Sequence, residues 1–323
     1  MRGKRIIFGV ITLSLLTCTG CGNSSGEVFL SYDFENEKSI SLSGDSAEQE
    51  MMLMAEDICV IPEKKAKDTD EYFGSDTQLL VDLDSNQKIF ANQIYETLYP
   101  ASITKIMTAY VALKYGNLDD EVTISYEASH IEEAGAKKCG FEEGDVISLE
   151  ALLNSFLVYS GNDAGIAIAE HISGSVENFA KLMNEEALKL GATGSHFVNP
   201  HGLHDDSHYT TCYDIYLIFR ELIQDERFVS MISQGSYLAG FKDVNGNEKS
   251  ITYTSTDRYL TGMAEVPEGA TIFGGKTGTT DQAGSCLILY FEKNGKHFLS
   301  FIFHASDGDQ CFDQMSHLIE KAE

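Results

Sequence analysis

Ser102 and Lys105 lie three residues apart in the stretch YPASITKIMTAY, residues 99–110, which otherwise has the apolar pattern of a buried helix. Residues at this spacing share one face of a helix, with β carbons about 5–6 Å apart. The two side chains are therefore expected to touch. This is the geometry of a serine nucleophile beside its base.

The same Ser-x-x-Lys spacing occurs a second time, at Ser85 and Lys88. Asp84, Ser85 and Asn86 are turn-forming residues between two apolar runs, so this copy is predicted to be a hairpin turn without chemistry. The spacing alone is weak evidence, and Ser102 needs support from elsewhere in the sequence.

A second short motif, Ser160-x-Asn162, lies in the stretch VYSGNDAG, between two segments with helical patterns. A serine and an asparagine in such a break can both face a cleft. The alternative is structural, because Asn162 or Asp163 in this position can simply cap the second helix.

A third motif, Lys276-Thr277-Gly278, lies in GGKTGTT on or at the end of a β run. The glycines at this point allow another chain or a ligand to approach the backbone closely. The alternative is an ordinary turn between strands.

The motifs Ser-x-x-Lys, Ser-x-Asn and Lys-Thr-Gly occur here in the order found in β-lactamases and penicillin-binding proteins. The chain resembles the penicillin-recognising serine acyl-transferases, and among these it is more similar to the serine-type D-alanyl-D-alanine carboxypeptidases, the low-molecular-mass penicillin-binding proteins. The resemblance covers roughly residues 79–323. It includes the stretches YPASITKIMTAYVAL, YSGNDAGIAIAEH, FVNPHGLHDDSHYTT and GGKTGTTDQAGSCLI.

The resemblance implies a catalytic role for each residue of the first two motifs. Ser102, at a helix N-terminus that favours developing negative charge, would attack the carbonyl between two D-alanines and form an acyl-enzyme. Lys105 would be the base, its pKa lowered by burial and by Lys276. Ser160 would pass the proton to the leaving D-alanine, and Asn162 would hold the substrate amide and orient Lys105.

The third motif would bind substrate. The resemblance implies that Lys276, Thr277 and the Thr279 hydroxyl, with Gly278 between them, bind the free C-terminal carboxylate. The backbone N–H groups of Ser102 and Thr279 would form the oxyanion hole. The implied substrates are peptidoglycan stem peptides ending in D-Ala-D-Ala, β-lactams are the implied inhibitors, and neither a cofactor nor a metal is predicted.

A class A-like β-lactamase is one alternative function. That class carries a catalytic glutamate in a Glu-x-x-Leu-Asn motif after its Ser-x-Asn loop. Glu150, Leu153 and Asn154 match the motif here, but they precede Ser160 on an amphipathic helix, so Glu150 is interpreted as a solvated helix residue. Without that glutamate, β-lactams are expected to trap the enzyme. A non-catalytic lipoprotein that senses β-lactams or peptidoglycan is a second alternative, disfavoured because every catalytic residue type is present.

The histidines of HGLHDDSHY suggest a different kind of site. His201, His204 and His208, with Asp205 and Asp206, resemble a metal-ligand cluster. The serine carboxypeptidases themselves carry NPHGL and the later HY, however. His201 and His208 are therefore expected to shape the cleft rim.

One departure from the family pattern lies ahead of the Lys-Thr-Gly strand. Members of the family often have Thr-Asn there, whereas YTSTDRYL has Asp257. This difference concerns the packing behind the strand and not the reaction.

The pattern of strands and helices around these motifs predicts an α+β fold. A β-hairpin around residues 84–86 precedes the Ser102 helix, and helical patterns fill the middle third, one of them with Ser175 as its N-cap and Gly191 as its stop. Three β runs with a short helix end the chain, and a turn at Asn294-Gly295 joins the last two runs. We predict a mainly antiparallel sheet flanked by helices with an inserted all-helical subdomain, as in β-lactamases and transpeptidases. The site is expected where the two subdomains meet.

The N-terminal residues predict export. Residues 1–20 have a basic start and an apolar run too short for a permanent membrane span. Cys18-Thr-Gly-Cys21 resembles a lipobox, which predicts lipidation of Cys21 and anchoring to the outer face of the cytoplasmic membrane. An ordinary cleaved signal is the alternative. Residues 21–56 are predicted to be an acidic tether and residues 57–323 the catalytic domain.

Composition excludes some partners. A chain of 323 residues with 43% hydrophobic content is long enough for a well-buried core. Its net charge of −27 repels nucleic acid, so no nucleic-acid partner is predicted. Once Cys18 and Cys21 are set aside, no Cys-x-x-Cys pair remains among the seven cysteines, and no disulfide framework is predicted.

Overall fold

The computed structural model of the chain describes residues 58–73, 77–133 and 135–323. The predicted signal at residues 1–20, the tether at residues 21–56 and the lipidation site Cys21 lie outside the described residues. None of the helices in the described part is long and apolar enough to span a bilayer.

The described strands are β1 (Thr77–Asp82), β2 (Gln87–Asn92), β3 (Glu121–Thr123), β4 (Val146–Ser148), β5 (Ser236–Lys242), β6 (Glu248–Thr254), β7 (Ala270–Thr280), β8 (Gly284–Lys293) and β9 (Lys296–Ala305). The described α-helices are α1 (Thr104–Tyr115), α2 (Tyr126–Ser129), α3 (Leu149–Tyr159), α4 (Asn162–Ser173), α5 (Val176–Lys189), α6 (Cys212–Leu222), α7 (Glu226–Ile232) and α8 (Gly308–Glu320).

The main sheet is antiparallel and has the order β2-β1-β9-β8-β7. Strand β1, which lies between β2 and β9, is buried along its whole length, because successive side chains enter two different cores. Leu79 packs in the core that contains Phe219 of α6, whereas Leu80 packs in the core that contains Met315 of α8. A strand covered on both faces needs apolar residues at odd and even positions, as the run Leu79-Leu80-Val81 provides.

Two hairpins of the main sheet agree with the turn residues in the sequence. Residues 83–86 connect β1 to β2, and Asn294 and Gly295 connect β8 to β9 with φ angles of 56° and 78°. Both central residues of a type I′ turn have positive φ, a conformation that asparagine and glycine tolerate. The predicted hairpins and the α+β class are confirmed.

The predicted all-helical nature of the inserted subdomain is wrong. Strands β3, β4, β5 and β6 form a second, four-stranded antiparallel sheet beside α2 to α5. β3 and β4 have three residues each, too few for a period of two to be visible. β5 and β6 form a longer hairpin whose Asn245-Gly246 turn is a recognisable signal that the sequence interpretation missed.

The predicted helix at residues 175–191 is confirmed, with its start and stop. The Ser175 hydroxyl accepts a hydrogen bond from the Asn178 backbone N–H, so it caps α5 as predicted. Gly191, just beyond the helix, has a φ of 81°, which suits a helix-terminating glycine. None of the five cysteines in the described part forms a disulfide.

Candidate active site

Ser102 lies in a single 3-10 turn, Ala101–Ile103, directly before α1. Ala101 has a φ of 46°, in the left-handed region that a residue with a β carbon enters at a cost. Thr104 Oγ1 donates to the Ala101 carbonyl over 2.8 Å and lies 2.8 Å from His208 Nε2. Because the threonine proton goes to that carbonyl, the histidine Nε2–H donates to the threonine oxygen. This chain of hydrogen bonds fixes the turn that presents Ser102.

Lys105 lies on the first turn of α1 and is completely buried. Its Nζ is 3.0 Å from Ser102 Oγ, 2.8 Å from Asn162 Oδ1 and 2.6 Å from the His201 carbonyl oxygen. Burial, followed by the nearby charge of Lys276, holds the pKa of Lys105 well below its ordinary value. The predicted contact between the Ser102 and Lys105 side chains is present.

Ser160 and Asn162 lie where α3 ends and α4 begins. Ser160 follows the last residue of α3 with φ 71° and ψ 28°, a left-handed conformation that is uncommon for serine. Gly161 occupies the N-cap position of α4 without a side-chain cap. The alternative interpretation of Asn162 as a helix cap is therefore wrong, because its side chain points to Lys105 instead.

Lys276 lies on β7 and is 1% exposed. Its Nζ donates to the Thr277 carbonyl over 2.9 Å. Burial, followed by the nearby charge of Lys137, lowers the pKa of Lys276 to about 7, while Asp257 acts in the opposite direction. The Thr277 hydroxyl donates to Thr256 Oγ1 over 2.6 Å, which fixes the side chain on the cavity wall.

Gly278 lets β7 approach the turn that carries the nucleophile. A β carbon at this position would lie 3.0 Å from the Ser102 backbone nitrogen and 3.1 Å from the Ile103 nitrogen. Any larger residue would push β7 away from Ser102. The close approach that the glycine predicted is therefore present between these two segments.

A cavity of about 310 Å³ brings the predicted residues together. Predicted site residues on its wall are Ser102, Ser160, Asn162, Thr277, Gly278 and Thr279. Lining residues that the sequence interpretation missed are Gly135, Lys137, Gly202, Leu203, Thr256 and Thr280. Lys105 and Lys276 are buried next to this lining, and none of the described residues on it is acidic. A larger open groove of about 690 Å³, at the end of α1 and the start of α7, contains none of the predicted residues.

Some of the missed lining residues lie in or beside recognisable sequence stretches, and others do not. Gly202 and Leu203 belong to the quoted stretch FVNPHGLHDD, whereas Thr256 directly precedes Asp257, the residue noted as unusual. Lys137 belongs to a loop with no recognisable motif. Its place on the cavity wall depends on tertiary contacts that no local pattern reports.

Asp257 is buried behind β7. Its side chain is 2% exposed, one oxygen accepts the Tyr259 backbone N–H over 2.9 Å, and the other has no hydrogen-bond partner among the described residues. Burial raises the pKa of Asp257 to about 6, although Lys276 opposes the shift. The departure from Thr-Asn at this position therefore leaves a buried carboxylate oxygen without a hydrogen-bond partner among the described residues.

The competing Ser-x-x-Lys pair is far from this chemistry. The Ser85 backbone N–H donates to an Asp82 carboxylate oxygen in the turn after β1, and Lys88 pairs with Asp68. The interpretation of Ser85 as a turn residue is confirmed. Glu150 is exposed on α3 and absent from the cavity wall, as expected for a solvated residue.

The histidines do not form a metal cluster in the described part of the chain. Burial lowers the pKa of His208 to about 4, and its Nδ1 accepts the Val198 backbone N–H over 3.1 Å. His201 is also buried and supports Lys105 through its carbonyl oxygen. The expectation that His201 and His208 shape the rim is wrong, because both lie beneath the cavity wall.

Comparison with known proteins agrees with this geometry. The family model described as D-alanyl-D-alanine carboxypeptidase matches residues 63–307. The D-alanyl-D-alanine carboxypeptidase DacF of Bacillus subtilis is 30% identical over 249 residues, which are 76% of this chain and 61% of the relative. The D-alanyl-D-alanine carboxypeptidase DacA of Haemophilus influenzae is 32% identical over 217 residues, which are 66% of this chain and 52% of the relative.

A solved structure supports the fold. The crystal structure of the Streptomyces K15 DD-transpeptidase matches with a TM-score of 0.72 and 23% identity, covering 79% of this chain and 98% of that one. The chain spans only 61% and 52% of the lengths of the two carboxypeptidases named above. The family match nevertheless extends over most of the chain and includes all three motifs, and the chain therefore belongs to the D-alanyl-D-alanine carboxypeptidase family.

Proposed function

We propose that this chain is a serine-type D-alanyl-D-alanine carboxypeptidase, which removes the terminal D-alanine from peptidoglycan stem peptides through an acyl-enzyme on Ser102. The observation that carries the proposal is the position of Lys105 Nζ, 3.0 Å from Ser102 Oγ and 2.8 Å from Asn162 Oδ1. Burial and the nearby charge of Lys276 hold the pKa of Lys105 well below its ordinary value, and this favours the neutral amine that a general base requires.

Acylation moves one proton and exchanges one bond. Lys105 Nζ takes the proton of Ser102 Oγ as the oxygen attacks the carbonyl carbon between the two D-alanines. The C–N bond breaks, and the leaving amine receives a proton by way of the Ser160 hydroxyl, on the same cavity wall. Water then attacks the ester, with Lys105 again as the base, and Ser102 recovers its proton.

Recognition of the free C-terminus is assigned to β7. Thr277, Gly278 and Thr279 line the cavity beside Ser102, and Lys276 is buried immediately beneath them. A protonated lysine with two hydroxyls suits a carboxylate. Placing these groups on the leaving side of the scissile bond makes the reaction that of a carboxypeptidase.

β-Lactams are proposed to be inhibitors that acylate Ser102. Deacylation of a penicilloyl-enzyme requires an activated water, and the described cavity wall carries no carboxylate to activate one. Glu150 is exposed on α3 and does not line the cavity. These positions support slow turnover of β-lactams and disfavour the β-lactamase alternative.

One preparation of the full-length chain in detergent tests the proposed function. A peptide ending in D-Ala-D-Ala should lose one D-alanine, and a chromogenic cephalosporin should acylate the protein about once and turn over slowly. Rapid cephalosporin turnover without D-alanine release would support a β-lactamase instead. Acylation without peptide cleavage would support a sensor.

We also propose export and anchoring to the outer face of the cytoplasmic membrane by a lipid on Cys21. The support comes from the sequence, namely the export signal of residues 1–20, the lipobox-like segment ending at Cys21 and the acidic residues after it. Cys21→Ala should leave the signal uncleaved or release the protein from membranes. Unchanged fractionation and migration of the variant would contradict lipidation.

A further inference from the structure

The cavity has a local charge opposite to that of the whole chain. The net charge of the chain is −27, yet the described residues on the cavity wall include Lys137 and no acidic residue. Lys276 adds a second ammonium immediately beneath the wall. A cleft lined by one sign of charge concentrates ligands of the opposite sign.

Lys137 lies in a loop on the side of the cavity that is formed by the end of α3 and the start of α4, here called the helical wall. Its carbonyl oxygen accepts the Asn162 backbone N–H over 2.7 Å, so its main chain is joined to the start of α4. Two residues later in the same loop, the backbone N–H groups of Cys139 and Gly140 each donate to the Asp163 carboxylate over 2.8 Å. Three hydrogen bonds therefore fasten this part of the loop to α4.

The ammonium group of Lys137 has an aromatic neighbour and no acidic partner. Its Nζ lies 4.0 Å from the centre of the Tyr159 ring, at the end of α3. Among the described residues, no carboxylate forms an ion pair with it. The side chain is exposed to the cleft, so a ligand can reach its charge.

Charges on the surrounding elements do not neutralise Lys137. Glu132, Glu133 and Lys138 of the same loop are exposed, and none has an ion pair with Lys137. The Asp163 carboxylate of α4 is buried and accepts hydrogen bonds from the backbone N–H groups of Cys139 and Gly140. Lys137 and Lys276 repel each other, which contributes to the lowered pKa of Lys276. An anionic ligand between these walls would relieve that repulsion.

We propose that Lys137 binds a second carboxylate of the substrate, so that the enzyme selects stem peptides whose residue before D-Ala-D-Ala carries a free side-chain carboxylate. This inference rests on the proposed function. Lys276 and the β7 hydroxyls serve the terminal carboxylate. Lys137 is joined to Asn162, which is expected to hold the substrate amide, and lies apart from the β7 groups that serve the leaving D-alanine, so we place its partner on the acyl side of the scissile bond.

The test uses two peptides that differ in one charge. Both end in D-Ala-D-Ala; one carries diaminopimelate before it, and the other carries the same residue with its side-chain carboxylate amidated. Full-length enzyme is titrated with labelled penicillin, so that rates refer to competent sites. We expect kcat/KM to favour the carboxylate peptide about tenfold, mainly through KM, and the preference to shrink at high salt.

Substitutions assign the preference to one side chain. In Lys137→Met the ratio of the two kcat/KM values should fall to about one, while Lys137→Arg should retain most of the preference because it keeps the charge. Lys138→Met removes the neighbouring exposed charge and should leave both peptides unaffected.

Three outcomes would overturn the inference. Equal rates for the two peptides with wild-type enzyme would refute selection by charge while leaving the carboxypeptidase function intact. An equal loss on both peptides in Lys137→Met would mean that Lys137 serves the terminal carboxylate or the fold. Absence of D-alanine release from either peptide would refute the proposed function, and the inference with it.

Discussion

Gly202 lies against the carbonyl group of Ala101, so closely that a β carbon on Gly202 would collide with the carbonyl oxygen. Ala101 begins the turn that presents Ser102, and its φ of 46° is itself unfavourable. Gly202 therefore packs directly behind the turn that presents Ser102 and limits how far this turn can move away from the cavity. It also brings the His201 carbonyl oxygen within 2.6 Å of Lys105 Nζ.

Gly202→Ala should displace this turn and reduce acylation by penicillin at least about 100-fold, because a shift of about 1 Å at a reacting group has effects of that size. The φ of Gly202 is 86°, so part of any effect could arise from backbone strain alone. Gly246→Ala is the matched control, since Gly246 has a φ of 80° and no atom within 4 Å of its missing β carbon. Equal acylation rates for the two variants would show that the contact with Ala101 does not position Ser102.

The site was predictable where its residues form short motifs in a recognisable order. Ser102 with Lys105, Ser160 with Asn162, and Thr277 to Thr279 were all placed at one site from spacing and resemblance. All of them line the cavity except Lys105, which is buried beside it. Their chemical roles remain predictions. Residues outside motifs were not found, because Lys137 and Thr256 owe their positions to Asn162 and Thr277, which are distant in sequence.

The fold was predictable where periodicity extends over enough residues. The apolar run Leu79 to Val81 of β1 and the Asn294-Gly295 turn identified the main sheet, and Ser175 identified the start of α5. The second sheet was missed because two of its strands have only three residues, and because β5 and β6 were not recognised as a hairpin despite their turn. Short strands are stabilised by pairing and burial more than by their own pattern.

The proposed chemistry requires that Ser102 is the acylated residue and Lys105 its base. Ser102→Ala should abolish penicillin adduct formation and D-alanine release, and Lys105→Met should slow acylation by several orders of magnitude, as loss of a nucleophile or its base typically does. Ser85→Ala should have no effect, because Ser85 lies in the turn after β1. Mass spectrometry of peptides from the penicillin-treated protein gives the position of the adduct. An adduct on any serine other than Ser102 would contradict the assignment.

The lowered pKa of Lys276 predicts an alkaline limit to substrate binding. Its pKa is about 7, so the ammonium that attracts the terminal carboxylate is lost as pH rises through this value. KM should rise, and kcat/KM should fall about tenfold per pH unit, above about pH 7. The bound carboxylate stabilises the ammonium, so the corresponding decline in kcat should occur at higher pH.

A peptide with an amidated C-terminus is the control for this pH dependence. It lacks the carboxylate that Lys276 would attract, so its slow cleavage should not show the same rise in KM above about pH 7. A KM for the free-acid peptide that stays constant from about pH 6 to 9 would rule out the proposed role of Lys276 charge.

Asp257→Asn should stabilise the fold at neutral pH. Burial raises the pKa of Asp257 from 3.8 to about 6, so the side chain favours folding only as the neutral carboxylic acid. This contribution is present below about pH 4 and is lost as pH rises through about 6, at a cost of up to about 3 kcal/mol. Asparagine does not ionise, and its amide still offers an oxygen to the Tyr259 backbone N–H, which lies 2.9 Å from the present carboxylate. The advantage of the variant should therefore grow as pH rises from about 5 to about 6 and become constant above about pH 7, as measured by urea unfolding.

Asp243→Asn is the control of opposite sign. Backbone and side-chain hydrogen bonds in the β5–β6 turn lower the pKa of Asp243, so its stabilising contribution is already complete at about pH 5 and should not change up to 7.5. Asp257 also raises the pKa of Lys276, so Asp257→Asn should move the alkaline rise in KM to lower pH while it stabilises the fold. This combination is specific to a buried carboxylate that acts as a counterion to Lys276. A variant with no pH-dependent gain in stability, or with an unshifted KM profile, would contradict that role.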